Sequence, residues 1–180
     1  TADRLRALNG AQIASSTLGR GSAGDLSIDA ETVQLSGRTA QGRRGLFATA
    51  IADRGAGGTL RINAASLLVD DGATVSVSNF PSSEASPVPP GQGAAGNLQV
   101  NAQQIVIQDQ GLLSADTVAG DRSNITLQTE LLALRRGSRI TTNATGTATG
   151  GNINIEAQGY VIAVPDENSD ITANAVFGDG

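Results

Sequence analysis

One short motif recurs five times along the chain, and this repetition constrains the fold more strongly than any other feature of the sequence. Each copy begins with a small residue and a polar residue, and it continues as apolar, polar, apolar, polar, small. The copies are residues 24–30, 58–64, 96–102, 123–129 and 151–157. Their starts lie 34, 38, 27 and 28 residues apart, which indicates a period near 27 residues with two longer units.

Two further alternating runs follow the motif. The second run carries two apolar residues with one residue between them, and these pairs are Val33/Leu35, Leu67/Val69, Ile105/Ile107, Leu132/Leu134 and Tyr160/Ile162. The third run covers residues 72–77, 110–115, 137–142 and 168–173, and residues 10–15 resemble the third run of an earlier unit. Alternation with a period of two residues is typical of strands that bury one face. Each unit is therefore expected to contain three short strands.

We predict an all-β fold, a right-handed parallel β-helix (a solenoid) with three short strands per coil and about five to six coils. Residues 1–180 would form a single β-helix segment. Successive coils would lie ~4.8 Å apart, and the right hand follows because parallel crossovers are overwhelmingly right-handed. A β-sandwich or barrel of short strands is the alternative, but it does not require one three-strand motif repeated in constant order.

Stacked coils would place equivalent residues side by side. Positions 26, 60, 98, 125 and 153 should form one internal column, and positions 35, 69, 107, 134 and 162 should form a second. The residues that lengthen single units lie near 37–44, 79–95 and 164–167. Because stacked strands cannot absorb insertions, these residues should leave the coils as corner loops. The 79–95 loop is long, and it is the surface that we expect to be adhesive.

The composition excludes most catalytic and cofactor chemistry. The chain has no His and no Cys, which excludes the usual zinc sites and His-activated nucleophiles. It has no Lys, and so it cannot form a Schiff base or supply a Walker lysine. A net charge of -5 with 2% aromatic residues argues against nucleic-acid binding. We expect no cofactor, no metal site, no nucleic-acid partner and no transmembrane segment.

Two glycine-rich stretches, Gly19–Gly24 and Gly91–Gly96, match the pattern G-x-G-x-x-G. A dinucleotide site needs a strand before this motif and a helix after it. Here a predicted strand follows in both cases, which disfavours nucleotide binding. We expect the glycines to mark the corner before the first strand of a coil and to supply positive φ angles there.

Residues Asp166–Asp170 have the D-x-N-x-D opening of a calcium loop. An EF-hand would then need Gly at position six and Glu at position twelve, where this chain has Ile171 and Phe177. An EF-hand is therefore excluded. A looser calcium site and a solvated acidic loop both remain open.

The predicted stacking also sets acidic residues beside arginines. Asp71, Asp109 and Arg136 would occupy one position of successive coils, and Asp70, Gln108 and Arg135 would occupy the position before it. Polysaccharide-cleaving enzymes place two carboxylates together, one of them with a raised pKa, whereas neighbouring arginines lower the pKa of a carboxyl. We therefore interpret these residues as a charge ladder and expect a protein that is not an enzyme.

The C-terminal part of the sequence resembles a known family. Its distinctive segments are Gly150–Ile155, Val161–Pro165, Asn168–Ala175 and Gly178–Gly180. These segments are similar to the repeat region of cyanobacterial filamentous-haemagglutinin-like exoproteins, which are exported by two-partner secretion. The secretion domain of that family is not among these residues, so secretion is implied by the relatives.

The resemblance implies a non-enzymatic structural or adhesive segment of a longer protein that is secreted or held at the cell surface, outside the outer membrane. It implies an outer-membrane two-partner-secretion transporter as the partner during export, and surface glycans or other cells as later partners. The alternative is a polysaccharide-binding or polysaccharide-cleaving β-helix protein that uses surface carboxylates.

Overall fold

The computed structural model describes residues 1–39, 42–43, 45–49, 54–79, 92–120 and 123–176, and the structural statements below refer to these residues. They form strands joined by turns, with a single turn of 3-10 helix at Pro165–Glu167. The strands are β1 Ala2–Ala7, β2 Ile13–Ala14, β3 Leu26–Ser36, β4 Arg38–Thr39, β5 Gly42–Arg43, β6 Gly45–Phe47, β7 Leu60–Asp70, β8 Thr74–Ser76, β9 Leu98–Ile107, β10 Leu112–Ser114, β11 Asn124–Leu134, β12 Arg139–Thr141, β13 Asn152–Ala163 and β14 Asp170–Thr172.

Twelve of these strands form two parallel sheets. The long sheet has the order β1-β3-β7-β9-β11-β13, and the short sheet has the order β2-β6-β8-β10-β12-β14. The chain alternates between them, so each repeat adds one strand to each sheet. The remaining strands, β4 and β5, pair as an antiparallel hairpin within the insertion expected at 37–44. The all-β prediction and the parallel arrangement are confirmed.

Each repeat contributes two strands rather than the three that we expected. The first and second alternating runs are continuous in strands of 10 to 12 residues. At their junction the ladder loses one or two positions. For example, Ala30 pairs with Ala64 and Thr32 with Ser66, with one position lost, whereas two are lost between β9 and β11. Because pairing resumes at once, the backbone remains one strand where the side-chain alternation changes phase.

The first predicted column is confirmed. Leu26, Leu60, Leu98, Ile125 and Ile153 are successive register partners across the long sheet. The three central members are 0% exposed, whereas Leu26 and Ile153 are partly buried against the same core. A third internal column crosses the short sheet through Leu46, Val75, Leu113 and Ile140.

The second predicted column is confirmed except at its last position. Leu35, Val69, Ile107 and Leu134 are register partners, but Leu134 pairs with Ala163 and not with Ile162. The register shifts between Thr129 and Leu131, because β13 contains one more residue than β11 at this bend. As a consequence Ile162 lies opposite Ala133. Ile162 is exposed together with the rest of residues 158–163, because β13 is the edge strand of the long sheet.

Two strands were not predicted from the sequence. β1 pairs with the second half of β3, with Leu5 beside Val33 and Ala7 beside Leu35. β6 begins where the 37–44 insertion ends, and its Leu46 fills the internal column next to Val75. β1 has Leu5 as its one large apolar residue, and β6 has only three residues, with Leu46 and Phe47 adjacent, so neither strand shows a clear alternation.

A column of tight turns leads from the long strands to the short strands. In four of them, Asn9–Gly10, Asp71–Gly72, Asp109–Gln110 and Arg136–Gly137, both residues have positive φ. Each is closed by a hydrogen bond from the N–H of the following residue to the carbonyl of the preceding one. Two positive φ values in a four-residue turn are characteristic of type I′ geometry. These turns bring the charged residues of successive repeats to one corner.

We predict that Ile107→Ala lowers the free energy of unfolding by about 2–5 kcal/mol, because it opens a cavity in the middle of an internal column. Gln104→Ala is the matched control, since Gln104 is exposed on the same strand. Chemical denaturation followed by circular dichroism measures both. An equal, small effect of the two substitutions would contradict the buried column.

Candidate functional site

Close approach of backbone, and not positive φ, constrains Gly93 and Gly96 in the second of the two G-x-G-x-x-G stretches. Gly24 and Gly96 lie just before β3 and β9, as predicted, but neither has a positive φ. A Cβ on Gly96 would collide with the carbonyl oxygen of Gly58, and one on Gly58 would collide with that of Gly24. The expectation of positive φ was therefore wrong, because the constraint comes from the neighbouring repeat. Gly91 lies outside the described residues.

We predict that Gly96→Ala destabilises the protein by about 1–3 kcal/mol, because the added methyl group must displace backbone of the preceding repeat. Gly19→Ala is the control from the other stretch, since a Cβ there meets no atom within 4 Å. Thermal unfolding of both variants measures the difference. Indistinguishable melting temperatures would refute the close approach.

The charged corner consists of Asp109, Arg135, Arg136 and Glu167. Arg136 donates from Nε to Asp109 Oδ1 at 2.5 Å and from Nη2 to Oδ2 at 2.7 Å. This bidentate pair joins equivalent positions of neighbouring repeats and confirms that part of the predicted charge ladder. Arg135 instead donates from Nε and Nη2 to the carboxylate of Glu167, at 2.6 and 2.8 Å. Toward Asp109 it acts only as a nearby positive charge.

Glu167 was not singled out from the sequence, where it lay within the 164–167 insertion and the calcium-loop stretch 166–170. The 3-10 helix places its carboxylate against the corner, and its carbonyl accepts from the N–H of Gly137 at 2.6 Å. The backbone N–H of Arg136 also donates to Glu167 Oε2, at 2.9 Å. The 164–167 insertion therefore packs against the charged corner and does not project from it as a loop.

The arrangement keeps all four groups charged. Hydrogen bonds from Arg135 and from the Arg136 backbone lower the pKa of Glu167 to about 2. The hydrogen bonds from the Arg136 side chain lower the pKa of Asp109, and those to the carboxylates raise the pKa of Arg135 and Arg136. A general acid needs the opposite shift, toward neutral pH. The geometry of this corner is suited to joining repeats.

We predict that Glu167→Gln makes the melting temperature less dependent on pH in acid. The pKa of Glu167 is lower in the folded chain than its ordinary value of 4.5. Its stabilising effect is therefore complete above that value and is lost as the pH falls toward about 2. Melting curves of the native and variant chains between pH 7 and pH 2 should converge at the acid end. Glu31→Gln, at an exposed carboxylate outside the corner, is the control, and an identical loss in that variant would contradict the assignment.

In the predicted calcium-loop stretch 166–170, the carboxylates of Glu167 and Asp170 lie beside arginines, whereas the Asp166 side chain is exposed. Glu167 binds Arg135, and Asp170 Oδ2 lies 3.8 Å from Arg139 Nε. Asn168 adopts a left-handed conformation, with φ at 51°. Ile171 pairs in register with Ile140, as expected for the third run. In the described part of the chain, no group of three acidic side chains is placed to hold a metal ion.

A buried polar network holds the corner that follows the short strands β8 and β10, and no pattern in the sequence predicts it. Asn79 is 0% exposed; its Nδ2 donates to Thr117 Oγ1 and to the carbonyls of Gly93 and Ala119. Its Oδ1 accepts from the N–H of Val118 at 2.9 Å. The described ends of the 79–95 insertion are thus part of the stack. Residues 80–91, and with them the proposed adhesive tip, lie outside the described residues.

Asp116 extends this network across three repeats. Its carboxylate accepts from Ser114 Oγ at 2.9 Å, from Thr141 Oγ1 at 3.0 Å and from the N–H of Asn143 at 2.6 Å. Its own N–H donates to Ser78 Oγ at 2.8 Å. The carboxylate is therefore satisfied by neighbouring repeats rather than directed at a ligand.

An open groove runs over the outer face of the long sheet. One half encloses about 300 Å³ and is lined by Arg61, Asn63, Gln99, Val100, Asn101, Thr126 and Gln128. The other half encloses about 290 Å³ and is lined by Asn101, Ala102, Gln103, Gln128, Thr129, Glu130, Glu156 and Gln158. Asn101 and Gln128 belong to both halves, so the two form one continuous amide-lined groove. The sequence signal for it is the polar residues that alternate with the internal columns.

Comparisons with protein-family models, with curated proteins and with solved structures found no match to this chain. The described residues contain no helix that is long and apolar enough to cross a membrane.

Proposed function

We propose that this chain is a non-enzymatic structural segment of a secreted, filamentous-haemagglutinin-like surface protein, and that it forms a closed right-handed parallel β-helix. The observation that carries the proposal is the in-register stacking of repeats in two parallel sheets, with apolar columns between them. Such an arrangement makes a spacer whose length grows with the number of repeats. Each repeat is stabilised mainly by its two neighbours.

The proposal includes the right-handedness and the closure of each coil. Right-handed crossovers are the strong preference for parallel strands joined through a second layer. Hydrogen bonds between repeats continue outside the two sheets, for example from Ala144 N–H to the Asn174 carbonyl at 2.7 Å. Bridges join Thr117 to Ala144 and Ala144 to Ala175, which supports a third side to each coil.

The secreted location, the two-partner-secretion transporter and the glycan or cell partners rest on the sequence resemblance alone. The charged corner disfavours an enzymatic role. Asp109 and Glu167 have lowered pKa values because arginines bind them, whereas glycosidic cleavage requires a protonated carboxyl near neutral pH. A polysaccharide-cleaving role through these carboxylates is therefore disfavoured.

We predict that one whole repeat can be removed without loss of the fold. Deleting residues 101–127 joins Val100 to Gln128, which occupies the register position of Asn101. The shortened chain should keep its β-sheet circular dichroism and unfold cooperatively. Small-angle X-ray scattering should show a particle shorter by one strand spacing of ~4.8 Å.

Deleting residues 101–128 is the matched control, because one additional missing residue moves each later side chain of the strand to the opposite face. It would place Arg135 at the internal position of Ile107. This variant should fail to unfold cooperatively. If both deletions fold equally well, or both fail, the proposal of a modular spacer is wrong.

A further inference from the structure

We propose that the amide-lined groove binds an extended neutral polysaccharide chain. This goes beyond the spacer role, which requires no ligand. The groove crosses four neighbouring strands of the long sheet, from Arg61 on β7 to Glu156 on β13. Three strand spacings correspond to ~14 Å along the stack, which is enough for several sugar rings of an extended chain.

The chemistry of the lining matches hydroxyl groups. An Asn or Gln side chain carries two N–H donors and a carbonyl acceptor, and a sugar hydroxyl both donates and accepts. Four amide side chains, at Asn63, Gln99, Asn101 and Gln128, line the first half of the groove. Because the repeats are in register, a sugar chain along the stack would meet an equivalent polar side chain at each step.

Asn101 is the central residue of this site. It is exposed and lies between Asn63 and Gln128 in one row of the sheet. Asn63 donates to Asp29 at 2.8 Å and Gln128 donates to Glu156 at 3.0 Å. In contrast, no hydrogen bond joins the Asn101 side chain to any other described residue. The N–H donors and the carbonyl acceptor of this side chain, which lines both halves of the groove, can therefore bind a ligand.

The charges of the groove favour a neutral ligand. Arg61 lies at one end, where it donates to Gln99 at 3.0 Å and lies 3.8 Å from Asp25. Glu130 and Glu156 line the other end. The two carboxylates would repel an anionic polysaccharide, and Arg61 would repel a cationic one at the other end of the groove, whereas the amides between them carry no charge. A chain that carries only hydroxyl groups avoids both penalties.

The test is native affinity electrophoresis of the 180-residue chain in gels that contain galactomannan, hydroxyethylcellulose or polygalacturonate. We expect retardation by at least one of the two neutral polymers and none by polygalacturonate. Asn101→Ala should weaken binding about tenfold, as expected for the loss of one or two hydrogen bonds. Gln104→Ala, at an exposed amide of the same strand that does not line the groove, should bind like the native chain.

Melting temperatures of both variants serve as the check on folding, since both positions are exposed. Retardation by polygalacturonate alone, or by none of the polymers, would overturn the proposal. Equal retardation of the Asn101→Ala and native chains would overturn it as well. These outcomes are independent of the repeat deletion, which tests the spacer without any ligand.

Discussion

The parallel backbone ladder between successive repeats is the interaction on which the rest of this structure depends. Its register is fixed by alternation, because a slip of one residue would exchange the buried and exposed faces of a strand. Leu98 and Ile107 on β9 pair with apolar residues on both neighbouring strands and are fully buried. The apolar columns and the backbone ladder therefore specify the same register and stabilise each other.

This register also creates the polar features of the surface. Residues that are one repeat apart in sequence become neighbours in space, so Asp109 meets Arg136 and Asn63 aligns with Asn101. The charged corner and the amide-lined groove both result from this in-register stacking, but their side chains interact differently. At the corner, opposite charges satisfy each other and join repeats. In the groove, Asn101 has hydrogen-bonding groups that its neighbours do not occupy, which makes this face the candidate for binding.

Alternation allowed the parallel stack and most internal positions to be predicted, because burial of every second residue is a local property of the sequence. Prediction from alternation was wrong at Ile162, where one extra residue changes the register. It also missed β1, because that strand has few apolar residues. Contacts between repeats were harder to foresee. Gly58, Gly96 and Gly151, just before β7, β9 and β13, allow close packing against the preceding repeat. Glu167 reaches Arg135 because a turn of 3-10 helix lies against the charged corner.

Disulfide trapping tests the register most directly, since the chain contains no cysteine. Gln99 and Thr126 are exposed or partly exposed register partners on β9 and β11. Neighbouring strands lie ~4.8 Å apart, within the Cα separation that a disulfide spans. A chain with Gln99→Cys and Thr126→Cys should form an intramolecular disulfide on mild oxidation. A chain with Gln99→Cys and Gln128→Cys, displaced by two residues, should remain reduced. Equal cross-linking of the two pairs, or preferential cross-linking of the displaced pair, would contradict the in-register stack.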